Sequence, residues 1–262
     1  MSILGLVEYA GASGEADLVE PLDGIIDLSD TAVKLSNDYL EVSVGDFAAD
    51  LYGPTAVTAG FALINLQYAT YLETARRAER IARAEEIVAR IEEMAFDKDH
   101  YRFKPGVDKL YLYPNATMLL VLGRLYALTG KKVYLQRAET VYGGIESLRF
   151  TDKSLYASPY SAEIQGAKTD EYSTLSSQNY LILGLLMLHE NTGKAKYLDE
   201  VLVILRHIHE RLYDAKEGKL LHHWIDGRAA NKTDVDYFCS GCNLQVLYIL
   251  WYLQHRLSVV LS

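Results

Sequence analysis

The sequence has little cysteine, little proline and no excess of basic charge. Its 262 residues include two cysteines and five prolines, and two cysteines are too few for a disulfide framework. The net charge is −9. An acidic surface without a basic stripe repels nucleic acid and anionic lipid, so we expect neither as a partner. Half of the residues are hydrophobic, which excludes a disordered chain and allows one large core.

Long hydrophobic runs and phosphate-binding glycine motifs are also absent. No apolar run reaches about 18 residues without interruption, so the sequence predicts no membrane span. The first residues lack the positively charged start of a secretion signal, and we therefore predict a cytoplasmic location. Neither G-x-x-x-x-G-K-[ST] nor G-x-G-x-x-G occurs, so we predict no cofactor.

What the sequence does contain is a repeat. Asn115, Asn179 and Asn243 stand 64 positions apart each time, and an apolar run follows each of them. A fixed period longer than one helix and shorter than one domain indicates an array of stacked supersecondary units. Thr-Gly-Lys segments at 129–131 and 192–194 end two of the apolar runs, where the glycine predicts a left-handed helix cap.

The apolar pattern predicts helices that are alternately buried and half-buried. Helices that are apolar on all faces must be covered on all sides, whereas amphipathic helices face water. The chain is therefore predicted to be all-α, an incomplete α/α toroid formed by an arc of about four antiparallel hairpins over residues 51–262. Residues 1–50 are predicted to be a lead-in with a helix over 23–49. The other predicted helices span 56–72, 75–94, 118–128, 133–148, 181–188, 197–212 and 243–257.

Two segments carry a resemblance to a known group of proteins. They are the stretch from Tyr180 to Leu198 and the segment Ser240-Gly241-Cys242-Asn243, which opens the last apolar helix. Over roughly residues 51–262 the chain resembles the α/α-toroid proteins. It looks most like the helical region of the thioredoxin-domain-containing family, which is similar to N-acylglucosamine 2-epimerases and six-hairpin glycosidases. The resemblance implies a carbohydrate-related activity. The chain departs from that pattern because no thioredoxin domain precedes the helices and fewer helices are predicted than a closed six-hairpin ring contains.

The long connections are predicted to lie together at one end of the arc. Short turns join each inner helix to its outer partner, while the loops over 97–114, 151–178 and 214–241 return the chain to the next inner helix. Because helix direction alternates, these loops and the starts of the inner helices share one end. Long loops on a rigid scaffold are common positions for binding and catalytic residues.

Carboxylates and histidines in these loops are the candidate catalytic residues. Inverting glycoside hydrolysis needs a protonated acid and an ionised base about 6.5–9.5 Å apart. Proton transfer of the epimerase type would use histidines as acid and base. Solvated loop acids and helix-capping asparagines remain the alternatives. The candidate catalytic residues are Asp170, Glu171, Asp234, Asp236, His222 and His223, and the candidate substrate-binding residues are Tyr111, Tyr113, Asn115, Tyr172, Gln178, Asn179, Trp224, Tyr237 and Asn243.

The Cys239-x-x-Cys242 pair allows three interpretations. The thiols are inert, or they form a zinc site with His222 or His223, or Cys239 is a redox thiolate at a helix start. The spacing matches no standard metal motif, so no metal is predicted and the two cysteines stay as candidates.

Two functions from different classes fit this pattern. The first is a carbohydrate-acting protein, either a glycoside hydrolase or a sugar isomerase or epimerase, with a sugar-like ligand at the long-loop end. The second is a non-catalytic binding or scaffold module that self-associates or docks a protein partner. An incomplete ring favours the second function, because apolar inner helices at its two ends need a cover, and a homo-oligomer would supply one.

Overall fold

The computed structural model describes residues 54–104, 106, 107, 109–158, 171–232, 234 and 237–257, together with Gly24, Ile26 and Asp27. The predicted lead-in and nearly all of its predicted helix over 23–49 lie outside these residues.

Seven α-helices build the described part of the chain. They are α1 Pro54–Ala69, α2 Thr74–Ala95, α3 Leu112–Thr129, α4 Lys132–Ile145, α5 Leu175–Thr192, α6 Ala195–Leu212 and α7 Ser240–Arg256, with a 3-10 turn at Glu146–Leu148 after α4. The inner helices α1, α3, α5 and α7 pack side by side in chain order, and α2, α4 and α6 each pack on the helix before them. This arrangement confirms the predicted arc of helical hairpins. None of the described helices has the length and apolarity needed to cross a membrane.

Short antiparallel strands occupy the long connections, and the sequence analysis did not predict them. Strand β1 (Phe96–Asp97) pairs with β2 (His100–Tyr101), and β4 (Tyr213–Asp214) pairs with β5 (Lys219–Leu220). The remaining strands form one three-stranded sheet that joins the second long connection to the third. In that sheet β6 is central, and its order is β3 Tyr172–Thr174, β6 His223–Ile225 and β7 Arg228–Ala229.

Two inner helices begin earlier than the apolar pattern indicates. Helix α3 starts at Leu112 rather than at Met118, and α5 starts at Leu175 rather than at Leu181. Their first turns contain asparagine, glutamine, serine and threonine, which an apolar pattern assigns to a loop. These polar residues are nevertheless buried, because their side chains bond to neighbouring backbone groups.

The glycine caps occur where the sequence predicts them. Gly130 ends α3 with φ 68°, and its N–H donates to the carbonyl of Tyr126. Gly193 ends α5 with φ 67°, and its N–H donates to the carbonyl of His189. Glycine takes this left-handed conformation without the steric cost that a Cβ imposes. Helices α3 and α5 can therefore each turn into their outer partner within two residues.

A repeated polar contact joins successive outer helices. The Glu85 carboxylate of α2 accepts hydrogen bonds from Lys131 and Tyr134, and the Glu139 carboxylate of α4 accepts the equivalent bonds from Lys194 and Tyr197. The hydrogen bond from Lys194 holds the pKa of Glu139 below its ordinary value, with a further contribution from Tyr197. Each contact connects one outer helix with the turn and outer helix of the next hairpin, so it stabilises the stacking of the repeats.

Close packing of α3 against α5 depends on two glycines. A Cβ on Gly123 would lie 2.7 Å from the Cβ of Met187, and a Cβ on Gly184 would lie 2.9 Å from the Leu119 side chain. Real Cβ atoms do not approach this closely, so both positions need a residue without a side chain. The two central inner helices consequently pack closer together than larger residues would allow.

We predict that Gly123→Ala lowers the free energy of unfolding by about 1–3 kcal/mol, because the added methyl group forces the two helices apart. The matched control is Gly143→Ala in α4, where nothing lies within 4 Å of the added Cβ. The free energy of unfolding of that control variant should rise by up to about 1 kcal/mol, because alanine has a higher helix propensity than glycine. Urea unfolding followed by circular dichroism measures both changes. Equal effects of the two substitutions would contradict close packing at Gly123.

Candidate functional site

The starts of the inner helices lie beside one another at one end of the arc, which we call the long-loop end. The ring of Tyr113 in α3 contacts the ring of Tyr180 in α5, with centroids 5.0 Å apart and planes at 60°. The Asn179 side-chain amide of α5 donates to the Cys242 carbonyl of α7 at 2.9 Å. The repeated asparagines therefore gather at one end, as the direction of the helices predicts.

Two of these asparagines clamp the backbone of a preceding strand. The fully buried Asn115 accepts from the Tyr101 N–H at 2.7 Å and donates to the carbonyls of Tyr101 at 2.9 Å and Tyr111 at 2.8 Å. Asn243 accepts from the Leu220 N–H and donates to the carbonyls of Leu220 and Cys239, all at 2.9 Å. Both side chains thus fasten a β-hairpin to the start of an inner helix.

In the middle repeat the clamp is Gln178 rather than Asn179. Gln178 accepts from the Tyr156 N–H at 3.4 Å and donates to the Tyr156 carbonyl at 2.8 Å and to the Ser173 hydroxyl at 2.9 Å. Asn179 instead reaches α7, and its buried Oδ1 has no hydrogen-bond partner among the described residues. Of the repeated asparagines, Asn179 is therefore the one that keeps an acceptor for a water or a ligand hydroxyl.

His223 is the buried histidine of the long-loop end. It lies at the start of β6, and its side chain is 5% exposed. Its ring stacks on Tyr172 with centroids 5.4 Å apart and planes at 19°, and its Nε2 is 3.7 Å from Asp234 Oδ2. The register of the sheet explains the stacking, because β3 and β6 are antiparallel partners and Thr174, two residues from Tyr172, pairs with His223.

Asp234 is held as an ionised carboxylate. Its Oδ2 accepts from Arg228 Nη1 at 2.7 Å and from the Asn231 N–H at 2.9 Å. The hydrogen bond from Arg228, followed by that from Asn231, keeps the pKa of Asp234 below its usual value. A carboxylate in this environment orients a neighbouring imidazole better than it donates a proton. Arg228 was not among the residues predicted from the sequence, because no spacing motif connects it with Asp234.

The structure describes one of the other three acidic candidates. Glu171 is exposed just before β3, and its carbonyl accepts from the Asp226 N–H at 3.4 Å. Asp170 and Asp236 lie outside the described residues. Of the four candidate carboxylates, the structure therefore describes Glu171 in the second long loop and Asp234 in the third.

The other aromatic candidates lie beside cationic side chains. The Arg211 guanidinium is 4.9 Å from the Trp224 ring centroid, and the ammonium group of Lys219 is 4.9 Å from the Tyr237 ring. Tyr111 is buried, and its ring packs edge-on against Phe103 with centroids 5.4 Å apart. The half-buried rings of Trp224 and Tyr237 keep part of their surface accessible at the long-loop end.

The two cysteines form a disulfide at the start of α7, with Cα atoms 5.3 Å apart. One ring nitrogen of His222 and the two sulfur atoms lie within 4.8 Å of one another. The adjacent histidines therefore have different neighbours, although their rings are only 6.1 Å apart. His222 faces the cysteines, and His223 faces Tyr172 and Asp234.

Comparison with solved structures identifies the architecture. The structure is similar to a D-mannose isomerase, with a TM-score of 0.66 and 14% identity over 92% of this chain and 66% of that one. It is also similar to a GH76 α-mannanase from Bacteroides thetaiotaomicron, with a TM-score of 0.69 and 14% identity over 98% of this chain and 68% of that one. The fold is that of an α/α toroid. A third similar structure is a cellobiose 2-epimerase from Bacillus thermoamylovorans, with a TM-score of 0.57 and 12% identity over 78% of this chain and 55% of that one.

These similarities concern the fold alone, because the identities are low. No protein-family model matches the sequence, and no curated protein matches it. The chain spans between 55% and 68% of the length of the three solved structures. The resemblance to the helical region of the thioredoxin-domain-containing family stays a prediction.

We predict that Asn115→Leu destabilises the protein by about 3 kcal/mol or more. The substitution leaves two carbonyls and one N–H buried without their partner, and each unsatisfied group costs about 1–3 kcal/mol. Asn243→Leu removes an equivalent set of bonds at a half-buried position, where water replaces part of them, so its loss should be smaller. Urea unfolding measures both. Unchanged stability in Asn115→Leu would contradict the clamp and favour the predicted substrate-binding role.

Proposed function

We propose that this protein acts on a sugar at the long-loop end by moving a proton on the carbon next to the carbonyl, as an isomerase or epimerase does. His223 is the proposed acid or base, and Asp234 is the group that orients it. The observation on which the proposal rests is the surroundings of His223, whose ring stacks on Tyr172 and whose Nε2 lies 3.7 Å from Asp234 Oδ2.

The chemistry of imidazole suits this role. Histidine is the side chain whose unperturbed pKa lies nearest neutrality, so it can both accept and donate a proton near pH 7. The ionised Asp234 stands 3.7 Å from Nε2. The Tyr172 ring stacks on the imidazole and holds its plane, so the ring of His223 keeps one orientation.

Hydrolysis of a glycosidic bond is the weaker alternative within the carbohydrate class. An inverting hydrolase needs one carboxyl group with a raised pKa that still carries its proton. Arg228 lowers the pKa of Asp234, which disfavours its protonated form. Asp234 is therefore a poor candidate for the protonated acid of a hydrolase.

The substrate class rests on the structural neighbours. These neighbours are a D-mannose isomerase, a cellobiose 2-epimerase and an α-mannanase, and all three names refer to sugars. Reducing sugars with a mannose or glucose unit are consequently the first substrates to test. Asn179, Trp224 and Tyr237 are the proposed binding residues, since one keeps a hydrogen-bond acceptor and two keep accessible ring surface.

We predict that the protein exchanges the C2 hydrogen of mannose, glucose or cellobiose with deuterium in D2O, as followed by proton NMR. His223→Gln should lower the exchange rate by about 10²- to 10⁴-fold, the usual contribution of a general acid or base. His189→Gln is the matched control, because His189 lies in the last turn of α5, at the end of that helix opposite to the long-loop end.

Unchanged exchange in His223→Gln would remove the proposed role of this residue. Sugar binding without exchange in the wild-type protein would contradict the isomerase proposal and favour a binding module. Release of reducing sugar from mannan without exchange would favour the hydrolase.

The second candidate function is a non-catalytic module that pairs with a second copy of itself. Leu244, Leu247 and Trp251 follow one face of α7 and are 66%, 62% and 49% exposed. Leu247 also lines a groove of about 750 Å³ between α6 and α7. Two copies of one apolar stripe can cover each other across a twofold axis.

Light scattering at increasing protein concentration tests this second candidate. It predicts a dimer for the wild-type chain and a monomer for Leu247→Asp, since a buried unpaired carboxylate opposes association. Gln136→Asp, at an exposed position of α4 away from this stripe, is the control and should stay dimeric. A wild-type chain that stays monomeric at its highest soluble concentration would contradict self-association.

A further inference from the structure

We infer that His222, Cys239 and Cys242 form a Zn²⁺ site when the disulfide is reduced. Each residue offers one ligand atom, and these three atoms lie within 4.8 Å of one another. Tetrahedral zinc with bonds of about 2.0–2.3 Å needs its ligand atoms about 3.3–3.8 Å apart. Small side-chain rotations of the two thiolates and the imidazole therefore suffice to bring the three atoms onto one ion.

The backbone holds the histidine close to the cysteines. The His222 N–H donates to the carbonyl of Tyr237 at 2.9 Å, two residues before Cys239, and the His222 carbonyl accepts from the Leu175 N–H at 2.7 Å. His222 is thus tied both to the segment that leads into Cys239 and to the start of α5. Its position relative to Cys239 is set by the fold before any metal binds.

Asn243 ties together the two chain segments that carry the ligands. Its amide donates to the Cys239 carbonyl and to the Leu220 carbonyl, both at 2.9 Å, and Leu220 precedes His222 by two residues. We assign Asn243 as a positioning residue for this site. The Asn243 amide, which hydrogen-bonds backbone groups at the start of α7, therefore also sets the spacing between the histidine and the cysteines.

The start of α7 favours the thiolate form that zinc requires. Cys239 is the N-cap residue of α7, and its sulfur accepts from the Cys242 N–H at 3.1 Å. The partial positive charge of a helix start lowers the pKa of a thiol located there. Cys242 is buried in the first helical turn, where the helix shields it. With three protein ligands, the fourth position of the zinc ion is left to a water molecule.

Zinc and the disulfide exclude each other, so the site depends on the redox state. A phosphine or dithiol reductant adds two electrons to the disulfide, breaks the S–S bond and yields two thiols, which lose their protons when Zn²⁺ binds. A peroxide reverses this change. It takes two electrons from the two thiolates, the S–S bond forms, the O–O bond breaks to give two water molecules with two protons, and Zn²⁺ is released.

The test measures zinc bound by the full chain after reduction with a phosphine and after oxidation with hydrogen peroxide. The chain has only two cysteines, so thiol titration reports the redox state without ambiguity. Reduced protein should retain one equivalent of Zn²⁺ after gel filtration, and oxidised protein should retain none. Co²⁺ bound to reduced protein should show thiolate-to-metal charge-transfer absorption and the intense visible bands of a tetrahedral site.

Substitutions identify the ligands independently of any enzyme activity. Cys239→Ser, Cys242→Ser and His222→Gln should each weaken zinc binding by more than about 100-fold, and Asn243→Ala by about 10- to 100-fold, the usual effect of removing a group that positions a ligand. His255→Gln, in the last turn of the same helix, should bind like the wild type. Circular dichroism of each variant shows whether it is folded.

Two results would overturn the proposal. One is reduced, folded wild-type protein that retains no zinc. The other is a zinc affinity that His222→Gln does not change, which would mean that the two thiols bind zinc without the histidine. Neither result bears on sugar chemistry at His223, because the readout is metal content rather than turnover.

Discussion

The structure depends on hydrogen-bonding the backbone polar groups at the starts of its buried inner helices. A helix start leaves backbone N–H groups without partners, and the strands that lead into it carry further polar groups. Water cannot serve these groups where the inner helices pack against one another. Asn115, Gln178 and Asn243 supply the missing partners by bonding both the N–H and the carbonyl of one residue in the preceding connection. The helices can therefore be apolar along their length and still begin in the interior.

This constraint also places the candidate functional residues. Each clamp fixes one end of a long connection, so the connections cannot move freely over the long-loop end. The connection fastened by Asn243 carries His222 and His223, and that fastened by Gln178 carries Tyr172. The sheet formed by β3 and β6 then brings His223 onto Tyr172. The amides thus hold the described parts of these connections to the layer of helices.

Individual residues show how far sequence reasoning extends. The 64-residue period predicts equivalent roles for three asparagines, but Gln178 replaces Asn179 as the clamp because the longer side chain reaches Tyr156 from a position one residue earlier. The adjacent His222 and His223 are equivalent in the sequence, yet one faces two cysteines and the other faces a tyrosine and an aspartate. Arg228 carries no sequence signal, and its contact with Asp234 exists because the chain turns between them at Asn231, whose carbonyl accepts from the Asp234 N–H at 3.0 Å.

Periodicity, glycine caps and the alternation of apolar with amphipathic segments determined the helices, their pairing into hairpins and the gathering of inner-helix starts at one end. These features are local, because a residue's propensity and its spacing to near neighbours decide them. The pairing of β3 with β6, the buried polar first turns, the division of the histidines and the cluster of His222 with two cysteines were decided by tertiary structure. They arise between segments far apart in the chain, and no local pattern records which backbone group a distant amide, imidazole or guanidinium will meet.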